Sequence, residues 1–263
     1  MSANLIRTVN YYVTDREENG FAADNEHMKN ASFDTKFFGK NKKVTMQPGL
    51  YVLRGAPAAG KTAFLLQMCS DFAKNAQKRI IYYTFKESTR ELVTRSLACT
   101  PAVNQSNKQT FMKISDCEYF IGDSIRSAFC EYGHRIYFTE CRANMTVYGI
   151  KASIEDNVLC NVVFIDGLQD LTLMESFAYT LRELKTFQKE NNLIVIASFS
   201  TAYADDSDKR AIMNYADVIW DLEPDWADDN SDKTDIRLIW AKNRFGFVSD
   251  TVYSYYSEYN IFL

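Results

Sequence analysis

Eight consecutive residues, Gly55-Ala56-Pro57-Ala58-Ala59-Gly60-Lys61-Thr62, restrict this chain more than anything else in it. They read G-x-x-x-x-G-K-[ST], with the apolar run Leu50–Arg54 before them and the amphipathic stretch Lys61–Phe72 after. Glycines at the two ends let backbone N–H groups wrap a chain of phosphates, and a helix starting near Lys61 adds its dipole. In such a loop the Lys ammonium reaches the β- and γ-phosphates and the Thr hydroxyl binds Mg²⁺. Composition alone produces this match in fewer than about one chain in a hundred of this length. A strand, a phosphate loop and a helix in that order demand an α/β sheet whose strands end at the ligand.

The rest of the chain obeys that demand. Strands are expected over Arg79–Phe85, Arg135–Phe138, Asn161–Asp166 and Leu193–Ala197. Helices are expected over Ser88–Leu97 and Val147–Asp156, and around the stripe Phe177, Leu181, Leu184 and Phe187. Alternation of this kind implies parallel βαβ units with right-handed crossovers. After Asp205 the pattern changes: Val218–Leu222, Asp235–Lys242 and Thr251–Tyr256 read as strands with little helix between them, an antiparallel extension. Residues 1–47 are polar, rich in Asn, Lys and Asp, and read as an N-terminal arm or linker ahead of one large domain over 48–263. The aromatic pairs Tyr11-Tyr12 and Phe37-Phe38 imply that parts of the arm dock on something. The run Val162–Ile165 ends in Asp166, where a parallel sheet places its ligands, so Asp166 is the expected second Mg²⁺ residue, acting through water.

Composition narrows the function classes. Thirty Lys+Arg against 34 Asp+Glu leave a net charge of −4, which signals no strongly basic domain. The longest uncharged stretch, Asn191 to Ala204, is shorter than the ~20 residues a membrane helix needs, and no apolar segment follows Met1. A cytoplasmic protein is expected. Six cysteines without a C-x-x-C pair, and two distant histidines, His27 and His134, lack zinc-ligand spacing and read as core thiols.

Several ordered blocks over roughly 48–263 resemble the RecA-like C-terminal ATPase domain of the DnaB replicative helicases. They are the phosphate loop; Tyr82-Tyr83-Thr84-Phe85 leading into Glu91-Leu92-Val93 and Arg95; Ile165 to Leu171; Ala211-Ile212 with Ala216-Asp217-Val218; and Ala241-Lys242-Asn243-Arg244 with Gly246. The resemblance implies a RecA-like P-loop NTPase fold and an ATPase that uses ATP with Mg²⁺. It also implies a homo-oligomeric ring, usually a hexamer, with single-stranded DNA in its channel and primase or another replication protein as partner. It carries the family's Lys-x-Arg onto Lys242 and Arg244, which would reach the γ-phosphate held by the neighbouring subunit, Arg244 as the finger.

The chain departs from the family's pattern in three places. The catalytic Glu should stand nine residues before Arg95, but Lys86 occupies that slot and Glu87 follows it. A one-residue slip turns a strand side chain to the other face, although a loop at the strand's end can restore it, so Glu87 is the candidate base. Ser200 stands where the family usually has Gln. The segment from Ser200 to Ala211 is a short loop bearing Asp205, Asp206 and Asp208, carboxylates that repel a phosphate backbone, beside Lys209 and Arg210. The acidic run Asp221–Asp235 reads as a solvated loop. Residues 1–47 are also too few to replace the family's N-terminal helical domain. Two readings follow: an oligomeric MgATPase acting on single-stranded DNA in replication, or an ATP-binding assembly module of the same fold, weak in hydrolysis.

Overall fold

A computed structural model describes residues 32–39, 43–100, 102–103, 109–117, 123–142, 144–155, 160–171, 176–225 and 233–263. In chain order, β1 (Phe33–Thr35) and β2 (Val44–Met46) form a small antiparallel ribbon ahead of β3 (Gly49–Gly55). Next come α1 (Lys61–Asn75), β4 (Ile80–Thr84) and α2 (Thr89–Ala98). The short strands β5 (Ala102–Val103) and β6 (Gln109–Thr110) and the turn α3 (Ile114–Cys117) lead to α4 (Asp123–Gly133). Then β7 (Ile136–Glu140), α5 (Val147–Glu155), β8 (Val162–Asp166), α6 (Phe177–Glu190) and β9 (Ile194–Ser200) follow. The chain closes with α7 (Asp206–Tyr215), β10 (Val218–Asp225), β11 (Thr234–Asn243), β12 (Thr251–Tyr256) and β13 (Ile261–Phe262).

Nine of these strands make one sheet in the order β13-β12-β11-β10-β3-β9-β8-β4-β7. From β10 through β7 every pairing is parallel, whereas β11, β12 and β13 add antiparallel strands at the other edge. The expected parallel sheet with an antiparallel extension is therefore the observed one. Its strands are apolar runs because helices cover both faces. Leu53, Tyr82, Phe164, Ile196 and Trp220 meet Phe64, Phe72 and Leu97 on one side. Val52, Tyr83, Ile165, Ala197 and Ile219 meet Ile150, Leu184 and Ile212 on the other. Phe38 is completely buried beside Trp220 and Trp240, with ring centroids 5.3 and 5.0 Å away, whereas Tyr11-Tyr12 lies outside the described residues. Cys69, Cys99, Cys117 and Cys160 are buried free thiols. Among the described residues no helix is long and apolar enough to cross a membrane.

Two expectations are corrected. The acidic stretch after Ser200 is not a loop but the start of a helix: Asp205 caps α7 by accepting the Asp208 N–H at 2.8 Å, and Asp206 and Asp208 occupy its first turn. Carboxylates there face unpaired N–H groups and the positive end of the dipole, so the residues read as repulsive are a helix-start signal. The run from Asp221 is not wholly a solvated loop either. Asp221 lies in β10 and receives both Nε and Nη2 of Arg54 at 2.7 Å, each side chain less than a quarter exposed, while residues 226–232 lie outside the described residues. A loop reading counts charge but not the partner that a distant segment brings alongside.

Candidate functional site

The C-terminal ends of β3, β4, β8 and β9 converge on a cavity of about 510 Å³. Its floor is the loop between β3 and α1. Gly60 has φ of +84° and an added Cβ there would stand 3.0 Å from the Phe262 ring, so only glycine closes this turn beneath the C-terminal strand. Ala58 also adopts a left-handed backbone, φ +62°, without glycine's freedom. The result aims the first N–H groups of α1 into the cavity, together with the side chains of Lys61 and Thr62. Lys61 folds back, its Nζ donating to the carbonyls of Gly55 at 3.0 Å and Ala56 at 2.6 Å. Burial lowers its pKa against the pull of Asp166. An arriving phosphate would replace those carbonyls as the ammonium's acceptor.

Asp166 lies at the opposite wall, almost wholly buried. Its Oδ1 accepts the Ser198 hydroxyl at 2.5 Å and its Oδ2 accepts the Tyr82 hydroxyl at 3.0 Å, while Ser198 Oγ in turn accepts the Gly167 N–H at 2.9 Å. Both oxygens are thus oriented by their neighbours. Nothing in the sequence pattern marks Ser198 or Tyr82 as supports. Each is identified by register, since Thr84 pairs with Asp166 and Asp166 with Ser198 across three adjacent strands.

Glu87 also enters the cavity, and the reason is local. β4 ends at Thr84, so Phe85, Lys86 and Glu87 are bends and the alternation of a strand no longer applies. Glu87 N–H donates to Thr84 Oγ1 at 3.2 Å, which turns the chain back toward Asp166. Burial and the charge of Asp166 push the Glu87 carboxyl above its ordinary pKa, opposed by Arg95, whose Nη1 lies 3.7 Å from Glu87 Oε1. Lys86 lines the same cavity but is exposed, with its ammonium 3.9 Å from Asp170. Ser200 Oγ is buried without a hydrogen-bond partner among the described residues, while Gln169 approaches it and accepts the Ser200 N–H at 3.3 Å. The far wall is the C-terminal segment, with Tyr255, Ser257 and Asn260, to which no local motif points.

Lys242 and Arg244 lie elsewhere. Asn243 pairs with Val218, and Val218 with Tyr51, so the end of β11 is level with the start of β3. Four residues of strand, roughly 13 Å, separate that level from Gly55. The two cations stand at the edge of the sheet opposite their own phosphate loop. Lys242 Nζ donates to the carbonyls of Met213 at 2.5 Å and Ala216 at 2.6 Å, closing the C-terminus of α7, and Arg244 Nη1 lies 3.2 Å from Asp217 Oδ1. Burial and Arg244 lower the Lys242 pKa.

Comparison with known proteins agrees with this layout. The chain is 23% identical over 239 residues to the replicative DNA helicase DnaB of Geobacillus stearothermophilus, covering 81% of this chain and 52% of that protein. It thus spans about half the length of that relative. A second solved structure, described as an ATPase domain, superposes with a TM-score of 0.70 at 19% identity, covering 98% of both chains. A DnaB-like replicative helicase, solved in work on its interactions with primase, gives 0.66 at 20% identity over 83% of this chain and 59% of that one. A KaiC-like protein from Pyrococcus horikoshii gives 0.57 at 16% identity over 82% and 89%, which extends the likeness of fold to a wider set of RecA-like domains. The family model described as DnaB-like helicase C-terminal domain matches residues 34–263, and the chain belongs to that family.

Proposed function

We propose that this chain is an oligomeric MgATPase of the DnaB type that acts on single-stranded DNA, with each nucleotide bound between two subunits. The position of Lys242 and Arg244 carries this reading. Two cations at the sheet edge away from their own phosphate loop cannot serve it, yet in a ring that edge faces the next subunit's loop. Phosphoryl transfer is accelerated mainly by neutralising charge on the transferring group, which is what an Arg supplied from outside does.

Within one subunit, residues 55–62 hold the phosphates, with Lys61 on the β/γ oxygens. Among the described residues no cluster of three His, Cys, Asp or Glu could hold a metal by itself. The donor set fits Mg²⁺ instead: one hydroxyl, Thr62, one carboxylate, Asp166, and the phosphates completing the shell with water. Because both Asp166 oxygens already accept hydrogen bonds, the carboxylate would meet the ion through water. The ion would supply charge neutralisation at the β/γ oxygens. Glu87, basic and directed into the cavity, would orient the attacking water and take its proton.

A second reading, an ATP-binding assembly module with weak hydrolysis, draws on Lys86, on Ser200 and on α7, whose acidic start replaces the expected DNA-facing loop. Steady-state ATPase with and without single-stranded DNA, on material sized by light scattering, separates the two. Mixing Arg244→Ala with Lys61→Ala subunits tests the shared site: each contributes what the other lacks, so mixed interfaces should regain activity. Co-assembly without any recovery would refute the trans arrangement.

A further inference from the structure

Behind Arg244 lies a buried pair of opposite charges. Asp217 occupies the short link between α7 and β10 and is 5% exposed. Its Oδ2 accepts the Leu50 N–H at 2.8 Å and the ammonium of Lys185, a buried side chain reaching across from α6. Lys185 also donates to Gln188 Oε1 at 2.7 Å. The other oxygen, Oδ1, faces Arg244 Nη1 at 3.2 Å, and the Arg244 backbone N–H donates to the Asp217 carbonyl at 3.0 Å. One residue therefore holds Arg244 by backbone and side chain together, yet the Arg244 side chain remains 52% exposed.

Stability does not explain such a pair, because an apolar replacement of a buried ion pair is often as stable or more so. Charge accounting does. A carboxylate alone behind Arg244 would orient its guanidinium but cancel its charge, leaving a poor partner for a phosphate. Lys185 cancels the carboxylate from the inner side, so the trio keeps one net positive charge, carried on the exposed member. Lys242, fixed on the α7 carbonyls immediately before Asp217, adds a second cation on the same mount.

We infer that Asp217 and Lys185 are positioning residues for Arg244, the carboxylate aiming the guanidinium and the buried ammonium preserving its charge toward the nucleotide of the next subunit. This rests on the trans arrangement proposed above. Holding a long side chain in its working orientation removes the search among its rotamers, and a misplacement of about 1 Å can cost ~10²-fold in rate.

The test uses intact chains and reads turnover in trans. Asp217→Asn assemblies should bind nucleotide normally but turn over about 10- to 10²-fold more slowly, in kcat rather than KM. Mixed with Lys61→Ala subunits, which supply an intact Arg244 mount, they should regain activity, because their own phosphate loops are sound. Should Asp217→Asn fail to fold with Lys185 left unpaired, the double variant Lys185→Met/Asp217→Asn removes both buried charges and should show the same trans-rescued loss. A folded, assembled variant with wild-type turnover overturns the inference. So does a loss that Lys61→Ala subunits do not rescue while Arg244→Ala is rescued, since that marks a role inside the variant's own fold. If Arg244→Ala is not rescued either, the trans reading itself falls.

Discussion

Replacing Glu87 with Gln should slow turnover and raise thermal stability at once. The Glu87 carboxyl is pushed above its ordinary pKa by burial and by Asp166, so the folded chain carries an ionised group in a place that disfavours it. A raised folded-state pKa means that this group's favourable contribution is complete below the unfolded pKa and is lost as pH rises through the folded one. At neutral pH the wild type therefore bears the whole penalty and the Gln variant bears none. Against this, Gln loses the contact with Arg95, which at 3.7 Å and with Arg95 35% exposed contributes at most ~1 kcal/mol. The balance favours the variant by a few tenths to ~1 kcal/mol, a rise in Tm of ~1–3 °C for a domain of this size. Turnover should fall by ~10²-fold or more, ~2.7 kcal/mol of activation free energy, with nucleotide binding kept. Differential scanning calorimetry from pH 4 to 8 and ATPase on the same samples measure both. The Tm gain should shrink as pH falls below the carboxylate range, and the acid limb of the wild-type pH–rate profile should lie above that of an ordinary Glu. Wild-type turnover in Glu87→Gln would refute its role as base. If the working slot were residue 86, Lys86→Glu would raise hydrolysis instead.

Lys61→Ala should abolish nucleotide binding or turnover, measured with a fluorescent ATP analogue, because the other cavity ammonium, Lys86, is exposed and drawn toward Asp170. Ala58→Gly should raise Tm by ~2–4 °C while leaving nucleotide affinity intact, since a left-handed Ala costs ~1 kcal/mol that glycine does not. Asp221→Asn leaves Arg54 without its bidentate partner in a mostly buried position and should cost ~1–3 kcal/mol in a denaturant titration, with ATPase per folded subunit changed little.

Much of the site was legible because its chemistry is local. The phosphate loop needs contiguous residues, so G-x-x-x-x-G-K-T identified its own strand, helix and ligand, and Asp166 followed from an apolar run ending in a carboxylate. Continuous apolar runs likewise predicted the parallel strands, since burial on both faces leaves no polar positions in them. Where the reading failed, charge had been counted without its partner. Asp205, Asp206 and Asp208 read as a repulsive loop and proved to be the cap and first turn of a helix, and Asp221 found Arg54 on a neighbouring strand. The side chain of Glu87 could not be aimed from sequence, because its direction depends on β4 ending at Thr84 and on the Thr84 hydroxyl that turns the bend. The supports of Asp166, the C-terminal wall of the cavity and the trio of Lys185, Asp217 and Arg244 join residues from distant segments. Side-chain patterns along one element report which face is buried, but not what another element brings against it. The sequence by itself determined the fold class and the phosphate loop, which local geometry dictates. Tertiary structure alone decided which carboxylates face that loop and that Lys242 and Arg244 face away from it, because strand order and register set those distances.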